Sequence, residues 1–187
     1  MTPSAHQALA ARIHALAHIR GDFLLRSGVR STEYFDKYRF EADPGCLRAI
    51  AEGLVELLPA GKAALAGLEL GGVPLATVVS QICGRPLLFV RKRAKDYGTC
   101  KLAEGPEFAG QELVLVEDVI TSGGAVLDAA AALRDGGATV HTVVAVIDRD
   151  AGGRVALEAA GLELRALFTI HQLKAAAALA AGEPLEA

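Results

Sequence analysis

The chain has 187 residues, a length typical of one domain that can bury enough apolar surface to fold without a disulfide or a metal. Apolar residues make up 52% and charged residues 22%, which excludes a disordered chain. The formal net charge of −3, with six Phe, three Tyr and no Trp, disfavours a basic nucleic-acid binder and a base-stacking platform.

The first third of the chain predicts two helices and two short strands. Apolar residues recur at helical spacing over residues 6–19, and Gly21 ends that helix. Short strands are expected at residues 23–25 and 34–40. Asp43 followed by Pro44 is typical of a helix start, because the aspartate oxygen caps the free amides and proline needs no amide partner.

From residue 65 onward, strands alternate with helices, apart from a polar stretch at residues 91–110. The strands are predicted at residues 65–70, 86–90, 112–116, 139–147 and 163–169, and the helices at 73–83, 124–134, 153–160 and 171–181. This alternation predicts an α/β fold with a Rossmann-like parallel sheet and helices on both faces. Residues 1–40 do not follow it, and we expect them to form a small N-terminal hood over one domain that spans residues 1–187.

The sequence LVLVEDVITSGGA at residues 113–125 carries the strongest chemical signal. An apolar strand leads to the acids Glu117 and Asp118, and the loop Thr121-Ser122-Gly123-Gly124 then opens a helix. Backbone amides at a helix start, with glycines that allow close approach, form a phosphate cradle. A capped helix with two solvated acids is the simpler interpretation, but it does not explain why the strand, the acid pair and the cradle coincide.

The stretch RKRAKDYGTCK at residues 91–101 holds five cations and one acid. Three of the six lysines of the chain lie in it, and an ammonium on a flexible stem suits a point contact with a polyphosphate. A solvated basic loop is the alternative for any charge run. Beside a phosphate cradle, we interpret residues 91–110 as a mobile loop that contacts a polyphosphate.

These segments resemble the type I phosphoribosyltransferases, which bind 5-phosphoribosyl 1-diphosphate. In that family the acid pair holds the ribose hydroxyls and the loop holds the 5-phosphate. The segment DFLLRSGVRSTEYFD at residues 22–36 is similar to the hood of the orotate-specific members, and ELGGVPLA at residues 69–76 is similar to their diphosphate-side turn. Members often have a cis peptide in that turn, so one is expected at Leu70–Gly71 or at a neighbouring bond.

The resemblance implies a set of site residues. Lys95 and Asp118 are the expected catalytic residues. The sugar diphosphate is expected to contact Arg26, Arg91, Lys92, Lys95, Tyr97, Glu117, Asp118, Val119, Ile120, Thr121, Ser122, Gly123, Gly124 and Ala125. Orotate is expected to contact Tyr34, Phe35, Thr121 and Arg149, the last of these binding its carboxylate. Three positions depart from common members: Arg26 replaces a lysine, Gly71 replaces a lysine found in some, and Tyr97 replaces a histidine.

The resemblance also implies magnesium, held through substrate and water near Glu117 and Asp118, and a homodimer whose loop acts across the interface. The partners are then orotate and the sugar diphosphate, with no nucleic acid or membrane. Three widely spaced cysteines and no signal-peptide pattern suggest the cytoplasm. Two alternatives stay open: a phosphoribosyltransferase for another base, and a ligand-sensing regulator with this fold, although only about 22 residues precede the hood motif.

Overall fold

The computed structural model describes residues 1–24, 28–93 and 102–182. Seven helices and eight strands lie in these ranges. In chain order they are α1 (Pro3–Ala17), β1 (His18–Leu24), β2 (Arg30–Phe35), α2 (Lys37–Glu41), α3 (Pro44–Leu57), β3 (Ala64–Leu68), α4 (Gly72–Cys83), β4 (Leu87–Val90), β5 (Ala103–Glu104), β6 (Glu112–Ile120), α5 (Gly124–Asp135), β7 (Thr139–Asp148), α6 (Gly153–Ala159), β8 (Glu163–Thr169) and α7 (Ile170–Ala181).

Six strands form the central sheet in the order β5-β4-β3-β6-β7-β8. The pairs from β4 to β8 are all parallel, and β5 joins the edge antiparallel to β4. The chain leaves β3 towards one edge and returns on its other side at β6. Ligands bind at such a switch point, at the carboxyl ends of the strands, so the expected site lies beyond β3 and β6.

Helices cover both faces of the sheet, as the alternation predicted. On one face, α1, α3, α4 and α7 pack over inward side chains such as Leu65, Val116 and Phe168. On the other face, α5 and α6 pack over a second set that includes Leu115 and Val143. None of the helices in the described parts of the chain combines the length and the apolar character needed to cross a membrane.

The N-terminal 40 residues divide into two parts. Helix α1 buries Leu9 and Ile13 in the core beside α7. Strands β1 and β2 form a separate antiparallel hairpin that shares no ladder with the central sheet. The hairpin is anchored at its base, where the backbone N–H of Asp36 donates to the carbonyl oxygen of Ala17 at 2.8 Å.

Several element boundaries differ from those predicted. The first helix ends at Ala17, because residues 18–24 pair with β2 instead of continuing the helix. The strand expected at residues 34–40 stops at Phe35, since the Asp36 side chain caps α2 by accepting from the Tyr38 N–H. The strand expected to end at residue 116 runs on to Ile120. The short strand β5 was not predicted: it lies within residues 91–110, where a mobile loop was expected, pairs with β4 and buries Ala103.

Candidate active site

The loop at residues 121–123 joins β6 to α5 and has the expected cradle form. Gly123 is the N-cap of α5 with φ 78°, and no side chain caps the helix. Thr121, Ser122, Gly124 and Ala125 are exposed, so the first amides of α5 face an open surface. An uncapped helix start of this kind binds an anion through N–H donors and the positive end of the helix dipole.

Gly153 allows α6 to pack closely against the protein side of this loop. A Cβ built at Gly153 would lie 2.4 Å from the carbonyl oxygen of Thr121, so α6 can approach the loop only because this residue lacks a side chain. At Gly124, by contrast, the nearest atom to a built Cβ is Ser122 Oγ at 3.8 Å. The loop is therefore packed on its protein side and open on its ligand side.

The acid pair lies inside β6 and not beyond its end. Asp118 is fully buried and Glu117 is 9% exposed. Each makes a local backbone contact: the Asp118 N–H donates to Glu117 Oε1 at 3.1 Å, and the Val119 N–H donates to Asp118 Oδ1 at 2.5 Å. Ile120 packs its side chain into the core. The acids are thus held rigidly next to the cradle.

Two residues that the sequence analysis did not select complete this acid cluster. Lys37 Nζ lies 2.5 Å from Asp118 Oδ2. Glu41, on the same short helix, is buried and faces the same carboxylate. Both follow Asp36, and recognition of that residue as a helix cap would have placed them on α2 instead of a strand. Nothing in the sequence pattern shows that α2 reaches β6.

The cluster has a defined pattern of charge. Burial raises the pKa of Glu41 to about 8, with the charge of Asp118 acting in the same direction. Burial and the hydrogen bond with Asp118 raise the pKa of Glu117 well above its usual range. Burial also acts to raise the pKa of Asp118, but hydrogen bonds with Glu117 and Lys37 outweigh it, and the net shift is downward. Near neutral pH, Asp118 and Lys37 therefore form the charged pair of the cluster, while Glu41, with a pKa of about 8, holds its proton.

The turn after β3 lies directly against this cluster. It contains a cis peptide between Glu69 and Leu70, next to the bond where one was expected. A Cβ built at Gly71 would lie 1.6 Å from Asp118 Oδ2 and 3.0 Å from Glu41 Oε1. At Gly72 it would lie 2.2 Å from the carbonyl oxygen of Val116. Both glycines are therefore needed for the close approach of this turn to β6.

Arg149 follows β7 on the other side of the cradle. Its backbone N–H donates to the carbonyl oxygen of Ile120, and its residue surface is exposed. The loop that carries it is fixed by Asp148, which is fully buried, accepts from the Asp150 N–H at 3.0 Å and pairs with Arg154 at 3.0 Å. Among the ion pairs of the described residues, none uses the Arg149 guanidinium, so it is free to bind an anion.

The remaining predicted residues lie at the rim or outside the described residues. Tyr34 is 45% exposed on the hairpin and its ring centroid lies 5.5 Å from that of Phe23, whereas Phe35 packs partly into the core. Arg91 and the exposed Lys92 follow β4, and the Lys92 N–H donates to Glu69 Oε2 at 3.2 Å. Arg26, Lys95, Tyr97 and Lys101 lie outside the described residues.

The fold and the cradle are those of a phosphoribosyltransferase: a family model for the phosphoribosyl transferase domain matches residues 42–160. An orotate phosphoribosyltransferase from a Nocardioides species is 58% identical over 168 residues, which cover 90% of this chain and 94% of that protein. An orotate phosphoribosyltransferase from Methanocella arvoryzae is 46% identical over 153 residues, covering 82% and 87%.

A solved structure agrees with these sequence relatives. The crystal structure of Mycobacterium tuberculosis orotate phosphoribosyltransferase in complex with Fe(III) dicitrate superposes with a TM-score of 0.81 at 34% identity, covering 90% of this chain and 98% of that one. The chain belongs to the orotate phosphoribosyltransferase family.

Proposed function

We propose that this protein transfers the phosphoribosyl group of 5-phosphoribosyl 1-diphosphate to orotate, giving orotidine 5′-phosphate and diphosphate in pyrimidine biosynthesis. The observation that carries the proposal is that three features lie together at the carboxyl ends of the parallel strands. The open start of α5, the buried Asp118 and the unpaired Arg149 guanidinium lie at the ends of neighbouring strands. A Mycobacterium tuberculosis relative, 31% identical with a TM-score of 0.78, is solved in complex with this sugar diphosphate.

The mechanism follows from these positions. The amides of Thr121–Ala125 bind the 5-phosphate, and Asp118 accepts hydrogen bonds from the ribose hydroxyls, with Glu117 beside it. The bond from ribose C1 to the diphosphate oxygen breaks as the bond to the orotate ring nitrogen forms, through an oxocarbenium-like transition state. Orotate is an anion with an acidic ring N–H, whose proton passes to the departing diphosphate or to water, so no strong general base is required. Catalysis is then largely positioning and electrostatic stabilisation.

Arg149 pairs with the orotate carboxylate, because a guanidinium binds a carboxylate through two parallel hydrogen bonds. Tyr34 and Phe35 contact the pyrimidine from the hairpin. Arg91 and Lys92 neutralise charge on the diphosphate, and Arg26, Lys95 and Tyr97 contribute to the same sugar diphosphate from outside the described residues. Closure of the part of the loop that precedes β5 excludes water from the ribose carbon.

Magnesium fits this site as an ion held by substrate oxygens and water. In the described parts of the chain, no His, Cys, Asp or Glu side chains form a ready-made metal site, and the carboxyl cluster at Asp118 already holds the Lys37 ammonium. Magnesium typically keeps several waters and uses one or two carboxylates with substrate phosphates, and Asp118 and Glu117 offer oxygen donors of that kind. When bound, the ion offsets the negative charge of the diphosphate.

The same proposal covers organisation and location. Residues 1–187 act as one phosphoribosyltransferase domain, with the hood in residues 1–40 and the catalytic loop at 91–110. The protein works as a homodimer in the cytoplasm, a reducing compartment compatible with the free thiols of Cys46 and Cys83.

A spectrophotometric assay tests the proposal. The absorbance of orotate should fall only when 5-phosphoribosyl 1-diphosphate and magnesium are both present. Parallel assays with adenine and uracil test the choice of base. Conversion of adenine without conversion of orotate would contradict the proposal, as would a protein that binds orotate but never consumes it.

A further inference from the structure

Lys37 connects the hairpin of β1 and β2 to β6, the strand that carries Asp118. It is the first residue of α2, directly after the Asp36 cap that ends the hairpin. Its ammonium lies 2.5 Å from Asp118 Oδ2. The lysine side chain is 33% exposed and the aspartate side chain is fully buried. The Tyr38 ring centroid lies 5.3 Å from the same ammonium. Lys37 is thus fixed in place at the site, unlike a solvated surface lysine.

The electrostatics of the cluster give this contact a consequence for the ligand. Three carboxyl groups, Glu41, Glu117 and Asp118, share one ammonium in a buried space. A buried carboxylate without a partner costs free energy, and the Lys37 ammonium lies in contact with Asp118. Both oxygens of an aspartate accept hydrogen bonds, so the direction in which they point decides which hydroxyl groups they can meet. The ammonium therefore acts on the orientation of this carboxylate.

The contact also fixes orientation. Asp118 Oδ1 accepts from the Val119 N–H while Oδ2 faces Lys37, so the two contacts leave the carboxylate one rotamer. Gly71 leaves room for that rotamer, since any Cβ there would overlap Oδ2. The ion pair between the ammonium and this carboxylate gives direction as well as energy.

We propose that Lys37 is a positioning residue that holds the Asp118 carboxylate oriented for the ribose hydroxyls of the substrate. The inference deepens the proposed function and rests on it for the identity of the sugar ligand. Lys37 acts through Asp118 and not by touching the diphosphate. It should therefore matter equally for every ligand that carries the 5-phosphoribosyl group.

A double-mutant cycle tests the inference. Binding of 5-phosphoribosyl 1-diphosphate and of orotidine 5′-phosphate is measured by calorimetry on the wild type, Lys37→Ala, Asp118→Asn and the double variant. Lys37→Ala should weaken both ligands by about 10- to 100-fold, the range for hydrogen bonds to charged groups. In the Asp118→Asn background the same change should alter affinity by less than about twofold, since its target is gone.

Two further variants separate positioning from a general structural effect. Lys37→Arg keeps the charge and should recover most of the affinity, whereas Lys37→Met keeps the stem without the charge and should behave like alanine. Lys62→Ala is the control. It removes an exposed lysine just before β3, at the amino ends of the strands and away from the site, and should leave the affinity for both ligands unchanged. In steady-state assays Lys37→Ala should raise KM for the sugar diphosphate and leave KM for orotate unchanged.

Some outcomes would overturn the inference. Equal losses from Lys37→Ala with and without the Asp118→Asn change would show that Lys37 does not act through Asp118. A loss confined to the sugar diphosphate, with orotidine 5′-phosphate bound normally, would place the ammonium on the diphosphate instead. If Lys37→Ala does not fold, as thermal melting would show, the same cycle with Lys37→Met decides the question.

The cycle is independent of the choice of base. A wild-type protein that binds the sugar diphosphate but does not consume orotate would contradict the proposed function, and the Lys37 cycle could still be completed. A wild-type protein with no affinity for the sugar diphosphate would contradict both.

Discussion

The backbone N–H of Arg149 donates a 2.9 Å hydrogen bond to the carbonyl oxygen of Ile120, the residue directly before the loop at residues 121–124. This bond joins the end of β7 to the end of β6, where Ile120 also pairs with Asp148 in the ladder. The arginine proposed to bind the base and the loop proposed to bind the 5-phosphate are therefore held at one fixed spacing.

Arg149→Ala should raise KM for orotate by about 10- to 100-fold, the range for a lost charged hydrogen bond. It should also weaken discrimination against uracil, which lacks the carboxylate. Steady-state kinetics with both bases measures this, and Arg48→Ala on the exposed face of α3 is the control. Equal losses for orotate and uracil would remove Arg149 from the assigned role.

Asp118→Asn should weaken binding of 5-phosphoribosyl 1-diphosphate far more than binding of orotate. The amide keeps the shape of the side chain but removes the charge that accepts from ribose hydroxyls. Separate calorimetric titrations with the two ligands measure the difference. Unchanged affinity for the sugar diphosphate would show that the ribose is held elsewhere.

Gly71→Ala should disturb the acid cluster without touching any charged group. Its Cβ would overlap Asp118 Oδ2, so the carboxylate would have to leave its contact with Lys37. Overpacking of this kind costs about 1–3 kcal/mol of stability, and kcat/KM for the sugar diphosphate should fall with it. Gly45→Ala is the matched control, because its nearest neighbour is the flexible end of Arg12. If Gly71→Ala and Gly45→Ala lose similar amounts of stability and of kcat/KM, Gly71 does not have this steric role beside Asp118.

Glu41 should make the free protein less stable as pH rises from about 5 to 8, since one proton is worth about 1.4 kcal/mol per pH unit. Its pKa is about 8 in the fold against an ordinary 4.5. Between those values the unfolded chain has released the proton and the folded chain keeps it, so rising pH favours unfolding. Denaturant titrations across this range should show a flatter profile for Glu41→Gln.

The flattening should be partial, because the pKa of Glu117 is also raised by burial and acts in the same direction. Asp118, whose pKa is lowered, contributes only below its ordinary value of 3.8. Glu52→Gln, an exposed carboxylate on α3, is the control and should leave the profile of the wild type. Parallel profiles for the wild type and Glu41→Gln would contradict the raised pKa.

Lys95, which lies outside the described residues, should act across a dimer interface. Lys95→Ala should lower kcat by about 10²–10³-fold, as for loss of one preorganised donor. When inactive Lys95→Ala and Asp118→Asn subunits are mixed after reversible dissociation, a loop acting in trans restores about a quarter of wild-type activity. Activity that stays near zero, with subunit exchange confirmed by mass, would place Lys95 in the site of its own subunit.

The strand and helix order could be predicted because each buried strand is apolar and each helix has an apolar face. The end of β6 could not, since a run of buried apolar residues stops at Val116 while the ladder continues to Ile120. Acids inside a buried strand are stable only with partners, and the partner of Asp118 comes from residue 37. A long-range ion pair leaves no local periodicity by which it could be detected.

The site residues also divide into those that the local sequence predicts and those that long-range contacts bring together. The cradle at residues 121–124 was predictable because its chemistry is contiguous: glycines, hydroxyls and a helix start follow one strand. Lys37 and Glu41 were missed because their importance depends on tertiary placement. Gly71 was noticed only as a missing cation, whereas the structure gives it a steric role beside Asp118.

The hairpin of β1 and β2 is joined to the rest of the protein at its base, and it shares no ladder with the six-stranded sheet. The Asp36 N–H bonded to the Ala17 carbonyl and the Lys37 ammonium against Asp118 both lie at that base, where Phe35 also packs against the core. The loop at residues 121–124 packs on α6 instead. We therefore expect a hairpin from another base-specific enzyme, grafted between residues 17 and 36, to leave that loop in place.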